Sequence, residues 1–157
     1  MDTSTSGRPR IVAHKKDGTL LKGYPLEAYG LDPQLLNARQ PASFPVQFEM
    51  ELEDGGQIVM LTRDSLKAVF FVRSFIGKKE YNEVKFFEAH PPVEGLWVRL
   101  RYQDGEVTEG VVFNSLALIN EPGFFLKPPD PNSNNQMVYV LKSSVREFRV
   151  LGVKGTY

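Results

Sequence analysis

The stretch IVAHKKDGTLLKGY at residues 11–24 returns without gaps as VRLRYQDGEVTEGV at residues 98–111. Asp17 and Asp104, Gly18 and Gly105, and Gly23 and Gly110 all stand at one constant interval, which marks an internal duplication. Each copy reads as an alternating strand, a tight Asp-Gly turn that favours positive φ, and a second strand whose glycine permits a bend or a close approach. A duplicated hairpin of this kind restricts the chain to an all-β architecture built twice.

The ends of the copies also correspond. IVMLTRDSLKAVFFV (58–72) lies over MVYVLKSSVREFRVL (137–151), each reading as a strand, a polar break and a closing strand. Between hairpin and closing pair, LLNAR (35–39) and GFFLKP (123–128) are expected to supply a middle strand. Each copy then has about five strands, enough for a small curled sheet that hides its edges by closing. The expected fold is two tandem small antiparallel SH3-like or Sm-like β-barrels packed through an apolar linker.

The expected divisions are a disordered tail over residues 1–7, a first barrel over 8–74, a linker over 75–95, a second barrel over 96–153 and a tail over 154–157. In the second copy Val98, Leu100 and Tyr102 share one strand face while Arg99 and Arg101 share the other, as in a half-buried strand. The first copy carries PASFPVQFEMELEDGG (41–56), read as an insertion. Alternation of Val46, Phe48, Met50 and Leu52 before Asp54-Gly55-Gly56 predicts a longer hairpin there. The linker's Phe75, Ile76, Tyr81, Val84, Phe86 and Phe87 are too apolar for a solvated tether, so they are expected to pack across the barrels.

Composition narrows function. With 41% hydrophobic and 24% charged residues the chain should form a packed core. Nineteen basic residues are matched by nineteen acidic ones, so there is no general positive excess to capture a phosphate backbone, and nucleic acid is a disfavoured partner. Cysteine is absent, which removes disulfides, thiolate metal sites and thiol nucleophiles. No stretch approaches the run of about 18 apolar residues of a spanning helix and no secretory leader is seen, so a cytoplasmic protein without membrane association is expected.

Catalytic groups are sparse. His14 and His90 are the two histidines, neither in a metal-binding spacing, and the turn carboxylates Asp17, Asp54 and Asp104 need only bond nearby backbone. Neither a catalytic residue nor a cofactor or metal is assigned, and the chain is read as non-enzymatic. The candidate partner-binding segment is PGFFLKPPDPNSNN (122–135), where Phe124 and Phe125 flank a rigid loop rich in amide groups, Ser133, Asn134 and Asn135. A strand ended by prolines and an asparagine turn would explain the same residues. Phe71 and Phe75 join the candidates because Val69, Phe70, Phe71, Val72 and Phe75 cannot all face one interior. The second function class is nucleotide, cyclic-dinucleotide or RNA binding through Arg99, Arg101, Arg146 and Arg149, if these gather on the second barrel. Their bland alternative is pairing with Glu106, Glu109 and Glu147.

On DGTLLKGY, DGEVTEG, LKAVFFV and PGFFLKPPDPNSNNQMVYVLKSSV the chain resembles, over residues 8–151, an uncharacterised bacterial family of tandem small β-barrel domains. The resemblance implies bacterial origin and occurrence near regulatory or surface-behaviour proteins, with no assigned activity. The first hairpin is similar to the Sm-like RNA-binding barrel, in which a glycine-bent strand follows an acidic turn. The PilZ barrel is similar in shape, but its R-x-x-x-R and [DN]-x-S-x-x-G elements are missing: Arg146 and Arg149 have the wrong spacing, and Asn132-Ser133 lacks the glycine. An adaptor presenting an aromatic surface to another protein, of open oligomeric state, is the leading expectation.

Overall fold

The computed structural model describes residues 8–26, 44–76, 95–113, 117–130 and 134–154. The expected tail at 1–7, residues 155–157 of the expected tail at 154–157, the LLNAR strand, Ser133, His90 and nearly all of the expected linker lie outside them, whereas Lys154 ends a strand instead of opening a tail. Ten strands are present among the described residues: β1 Arg10–Lys15, β2 Leu20–Pro25, β3 Gln47–Leu52, β4 Ile58–Thr62, β5 Leu66–Val72, β6 Gly95–Tyr102, β7 Val107–Val112, β8 Gly123–Lys127, β9 Asn135–Leu141 and β10 Val145–Lys154. One helical turn, α1, covers Ala117–Asn120.

All ten strands pair antiparallel in one continuous sheet, in the order β10-β6-β7-β8-β9-β5-β1-β2-β3-β4. Each half therefore repeats one pattern, a four-strand meander whose fifth strand returns to pair with the first. The expected packing of the linker across the halves falls almost wholly outside the described residues, and the described junction is a strand pairing: β5 of the first half pairs with β9 of the second from Ala68↔Val140 to Val72↔Asn135. Main-chain hydrogen bonding joins them, and the sheet is not closed, with β4 and β10 as its two edges.

The duplication extends to bonds outside the ladders. The Lys16 N–H donates to the Ser65 carbonyl as the Gln103 N–H does to Ser144, and the Arg63 N–H donates to Val46 as the Lys142 N–H does to Pro122. Both Asp-Gly turns place the Asp side chain on an N–H two residues on (Asp17 on Thr19, 2.8 Å; Asp104 on Glu106, 3.0 Å), with Gly18 and Gly105 at φ of +93° and +94°. Gly23 and Gly110 are the predicted points of close approach. A Cβ at Gly23 would strike the Glu51 carbonyl, and one at Gly110 the Leu126 side chain and the Lys127 carbonyl. A single 3₁₀ turn precedes each closing strand, Arg63–Ser65 and Lys142–Ser144.

The residues read as an insertion are the first copy's own middle strand. β3 pairs with β2 and β4 as β8 pairs with β7 and β9, and Phe48 and Met50 enter the core where Phe124 and Leu126 do in the other half. Two cores result. The first gathers Ile11, Phe48, Met50, Leu61, Val69 and Phe71 of its own half, and takes Phe125, Met137, Tyr139 and Leu141 from the second half. The second core gathers Val98, Leu100, Tyr102, Phe124, Leu126, Val138 and Val140, with Ala68 and Phe70 from β5. Because successive strand residues point to opposite faces, β5 and β9 form a wall with one core on each side.

Candidate functional site

The described surface has an open cleft of about 290 Å³ on the second half, where β10 leaves its 3₁₀ turn. Its floor is apolar, from Leu118 on α1, Phe124 on β8, and Val145 and Phe148 on β10, with Phe148 edge-on to Phe124 at 5.5 Å between centroids. Lys142, Arg146 and Glu147 form its rim. The cleft adjoins the β10 edge, whose backbone has no strand partner among the described residues. Arg146 makes no ion pair among the described residues, and the apolar floor is partly open, so the site offers both a charge and a greasy surface.

The other arginines are gathered on one face, as sequence reasoning allowed, but among acids. Arg99 on β6 stands opposite Arg149 on β10 and Glu109 on β7. Its guanidinium donates to the buried Glu109 carboxylate through Nε (2.9 Å) and Nη2 (2.7 Å), while Trp97 Nε1 donates to the other Glu109 oxygen at 3.0 Å. Arg101 and Arg149 both approach Glu147, at 3.8 and 3.0 Å. Three of the four proposed anion-binding arginines thus spend their charge on carboxylates, as the alternative reading held.

A second cluster sits where the halves meet. The Lys67 ammonium at the start of β5 reaches the second half's turn, 2.6 Å from Asp104 and 2.8 Å from Glu106, and lies 4.4 Å from the Tyr102 ring centroid. Burial works against its charge, but the two carboxylates outweigh burial and raise its pKa above the ordinary lysine value. His14 lies tilted against Phe70 with ring centroids 4.2 Å apart, and burial, followed by the nearby Lys67 charge, lowers its pKa. Burial likewise raises Tyr102, with Glu106 and Asp104 adding to it. These groups are consumed by the junction. Among the described residues no three His, Asp or Glu side chains come together in a metal-holding arrangement.

Of the expected partner-binding aromatics, Phe125 and Phe71 are buried in the first core, and Phe124 is buried in the second, where it also contributes to the floor of the cleft. Phe75 is half-buried, edge-on to Tyr24 at 5.4 Å. Asn134 is a clamp: its Oδ1 accepts from the Ser74 N–H (2.9 Å) and its Nδ2 donates to the Ser74 carbonyl (2.8 Å), extending the β5–β9 junction. Asn135 opens β9 opposite Val72.

The sequence profile of a family of unknown function, DUF6982, matches residues 7–152. The chain belongs to the DUF6982 family. No curated protein and no solved structure matches it. For this DUF6982 chain the cleft residues Leu118, Lys142, Val145 and Phe148 were not singled out by sequence reasoning. Phe148 carried the one available signal: it occupies the position of Val69, a core residue, yet remains exposed in the DUF6982 structure. No helix among the described residues is long and apolar enough to cross a membrane.

Proposed function

We propose that the protein is a non-enzymatic cytoplasmic adaptor that binds another protein through the cleft beside β10. The open cleft itself carries this reading. At about 290 Å³ it lies at the bottom of the range for small-molecule sites, about 300–1,000 Å³, and is too open to enclose a ligand. It suits one or two side chains of an extended segment whose backbone pairs with the free edge, a recognition mode in which main-chain bonds give affinity and pockets give specificity. In this reading each half is an SH3-like barrel, supported by its own core, its returning fifth strand and the 3₁₀ turn before that strand.

Phe148→Ser and Arg146→Glu alter the floor and rim at side chains that are themselves exposed. Used as bait against lysate of its own source cells, the wild-type chain should retain partners that both variants lose at unchanged melting temperature. Retention of the same partners by both variants would sink the assignment.

A further inference from the structure

We propose that the occupant of the cleft is a second copy of this chain: β4 of one molecule pairs antiparallel with β10 of the next, in the register in which β5 pairs with β9. This rests on the reading of the cleft as a protein-contact site and names its partner.

The duplication makes β10 the equivalent of β5, and β4 the equivalent of β9. Inside the chain those two kinds of edge already meet, and the ladder Val69↔Tyr139 and Phe71↔Met137 puts apolar side chains together. Among the described residues one edge of each kind is left without a strand partner. Carried over by equivalence, the internal register predicts Phe148 opposite Met60 and Val150 opposite Ile58 of the next copy. Exposure follows the same division. Val69 and Phe71 are both 0% exposed and Met137 and Tyr139 4% and 2%, whereas Phe148 and Val150 are 38% and 47% exposed and Ile58 and Met60 55% and 53%. Apolar residues are thus kept at the very positions that the internal junction covers, and they are uncovered only where the junction has no second half to supply a cover.

The cleft is the clearest instance. In the first half Tyr139 arrives from β9 opposite Val69, stacks on Phe44 at 4.1 Å and shares one buried cluster with Phe48, Leu66 and Val69. In the second half the equivalents of the last three, Phe124, Val145 and Phe148, line an open cleft. Met60 holds Tyr139's place on β4, and its flexible thioether side chain suits an irregular apolar gap. Charge agrees as well: Lys67 bonds Asp104 across the internal junction, and the equivalent pair is Arg146 with Asp17 of the next copy, both exposed. On the other face Glu147 and Arg149 stand where Ala68 and Phe70 stand in β5. Their ion pair of 3.0 Å stays intact there, and the Arg149 stem can lie along Val59. Because the two edges differ, the contact is head-to-tail, and each added copy offers a fresh edge of either kind.

Sedimentation velocity on the full chain tests this. The wild type should sediment above the 17.8 kDa of one chain, and Met60→Lys and Val150→Lys should each sediment as single chains. An equimolar mixture of the two variants retains one intact edge of each kind, so it should give a species of two chains and nothing larger. Asp17→Arg and Arg146→Asp should each weaken assembly, and mixed together they should restore it. Melting temperatures report whether each variant folds; should one lysine variant fail, Ile58→Lys replaces it on β4 and the charge swap supplies β10. A wild type that remains a single chain up to its solubility limit, or an assembly indifferent to both lysine variants, overturns the proposal. In the first case loss of captured partners by Phe148→Ser would still uphold the adaptor reading, so the two ideas fail separately.

Discussion

Lys67→Met removes the ammonium that ties the first half to the second half's Asp-Gly turn, while keeping the aliphatic stem packed. Its partners Asp104 and Glu106 are more than half exposed, so each ion pair is worth about 0.2–1 kcal/mol rather than a buried-pair value. The contact over Tyr102 adds about 0.5–1 kcal/mol. Neither carboxylate is left dry by the substitution, so no desolvation penalty is added, and the expected loss is about 1–3 kcal/mol. For a chain of this size that is a fall in melting temperature of about 2–12 °C. Because the lysine pKa is raised in the folded state, its stabilisation is fully present below the unfolded value of 10.5 and is lost as pH rises through the folded value. Urea unfolding of both proteins at neutral pH, repeated in molar salt and at strongly alkaline pH, separates charge from packing, since salt shortens the screening length to about 3 Å at 1 M. A difference that persists unchanged in both conditions would show that Lys67 acts by its bulk and would refute the electrostatic account.

Tyr139→Phe should stabilise the protein by about 1 kcal/mol in thermal unfolding, because its buried hydroxyl has no hydrogen-bond partner among the described residues. The same burial raises the phenol to about 12, so spectrophotometric titration of the wild type should show Tyr139 ionising late, as the still higher Tyr102 also should, and a loss of stability on removing the Tyr139 hydroxyl would contradict the stability statement. Gly110→Ala should cost about 1–3 kcal/mol through collision with Leu126 and the Lys127 carbonyl, more than Gly105→Ala, which meets open space and strains only a positive φ; the reverse order in urea midpoints would be contrary. His14 titrates below its ordinary 6.5 in the folded state, so the unfolded chain binds its proton first and stability should fall as pH drops from 6.5 toward the folded value. His14→Gln should flatten that slope, while the lowered Asp17 and Asp104 act only in the separate window below 3.8.

The repeat was legible because its hairpins are ungapped and their Asp-Gly turns need one backbone conformation. The closing strands were legible for the same reason. The first copy's middle strand was not. The connection from β2 to β3 is much longer than that from β7 to β8, so the shared interval breaks, and LLNAR stood closer to its expected place than Phe48 and Met50 did. The alternation of Phe48, Met50 and Leu52 was read correctly as a strand of a longer hairpin, but that hairpin was taken as an insertion into the first copy. Likewise Val69 to Val72 announced two covered faces, yet pairing of β5 with β9 is a long-range choice that periodicity does not encode. Phe124 and Phe125 were ambiguous for one reason: a strand that separates two cores is apolar on both faces, and so looks like an exposed aromatic run.

Where the copies have diverged is itself informative. At the positions that face across the junction on the second-core side, β5 carries Ala68 and Phe70, whereas β10 carries Glu147 and Arg149. Charges on a free edge discourage indiscriminate strand addition. Yet on the opposite face of β10 the apolar character of Val69 and Phe71 is preserved as Phe148 and Val150. An edge blunted only for protection would have no reason to treat its two faces differently, because an added strand touches both. One charged face and one apolar face instead admit a strand that brings apolar side chains to the cleft and tolerates an ion pair behind it. β4 answers that description, with Ile58 and Met60 on one face and Val59 and the already covered Leu61 on the other.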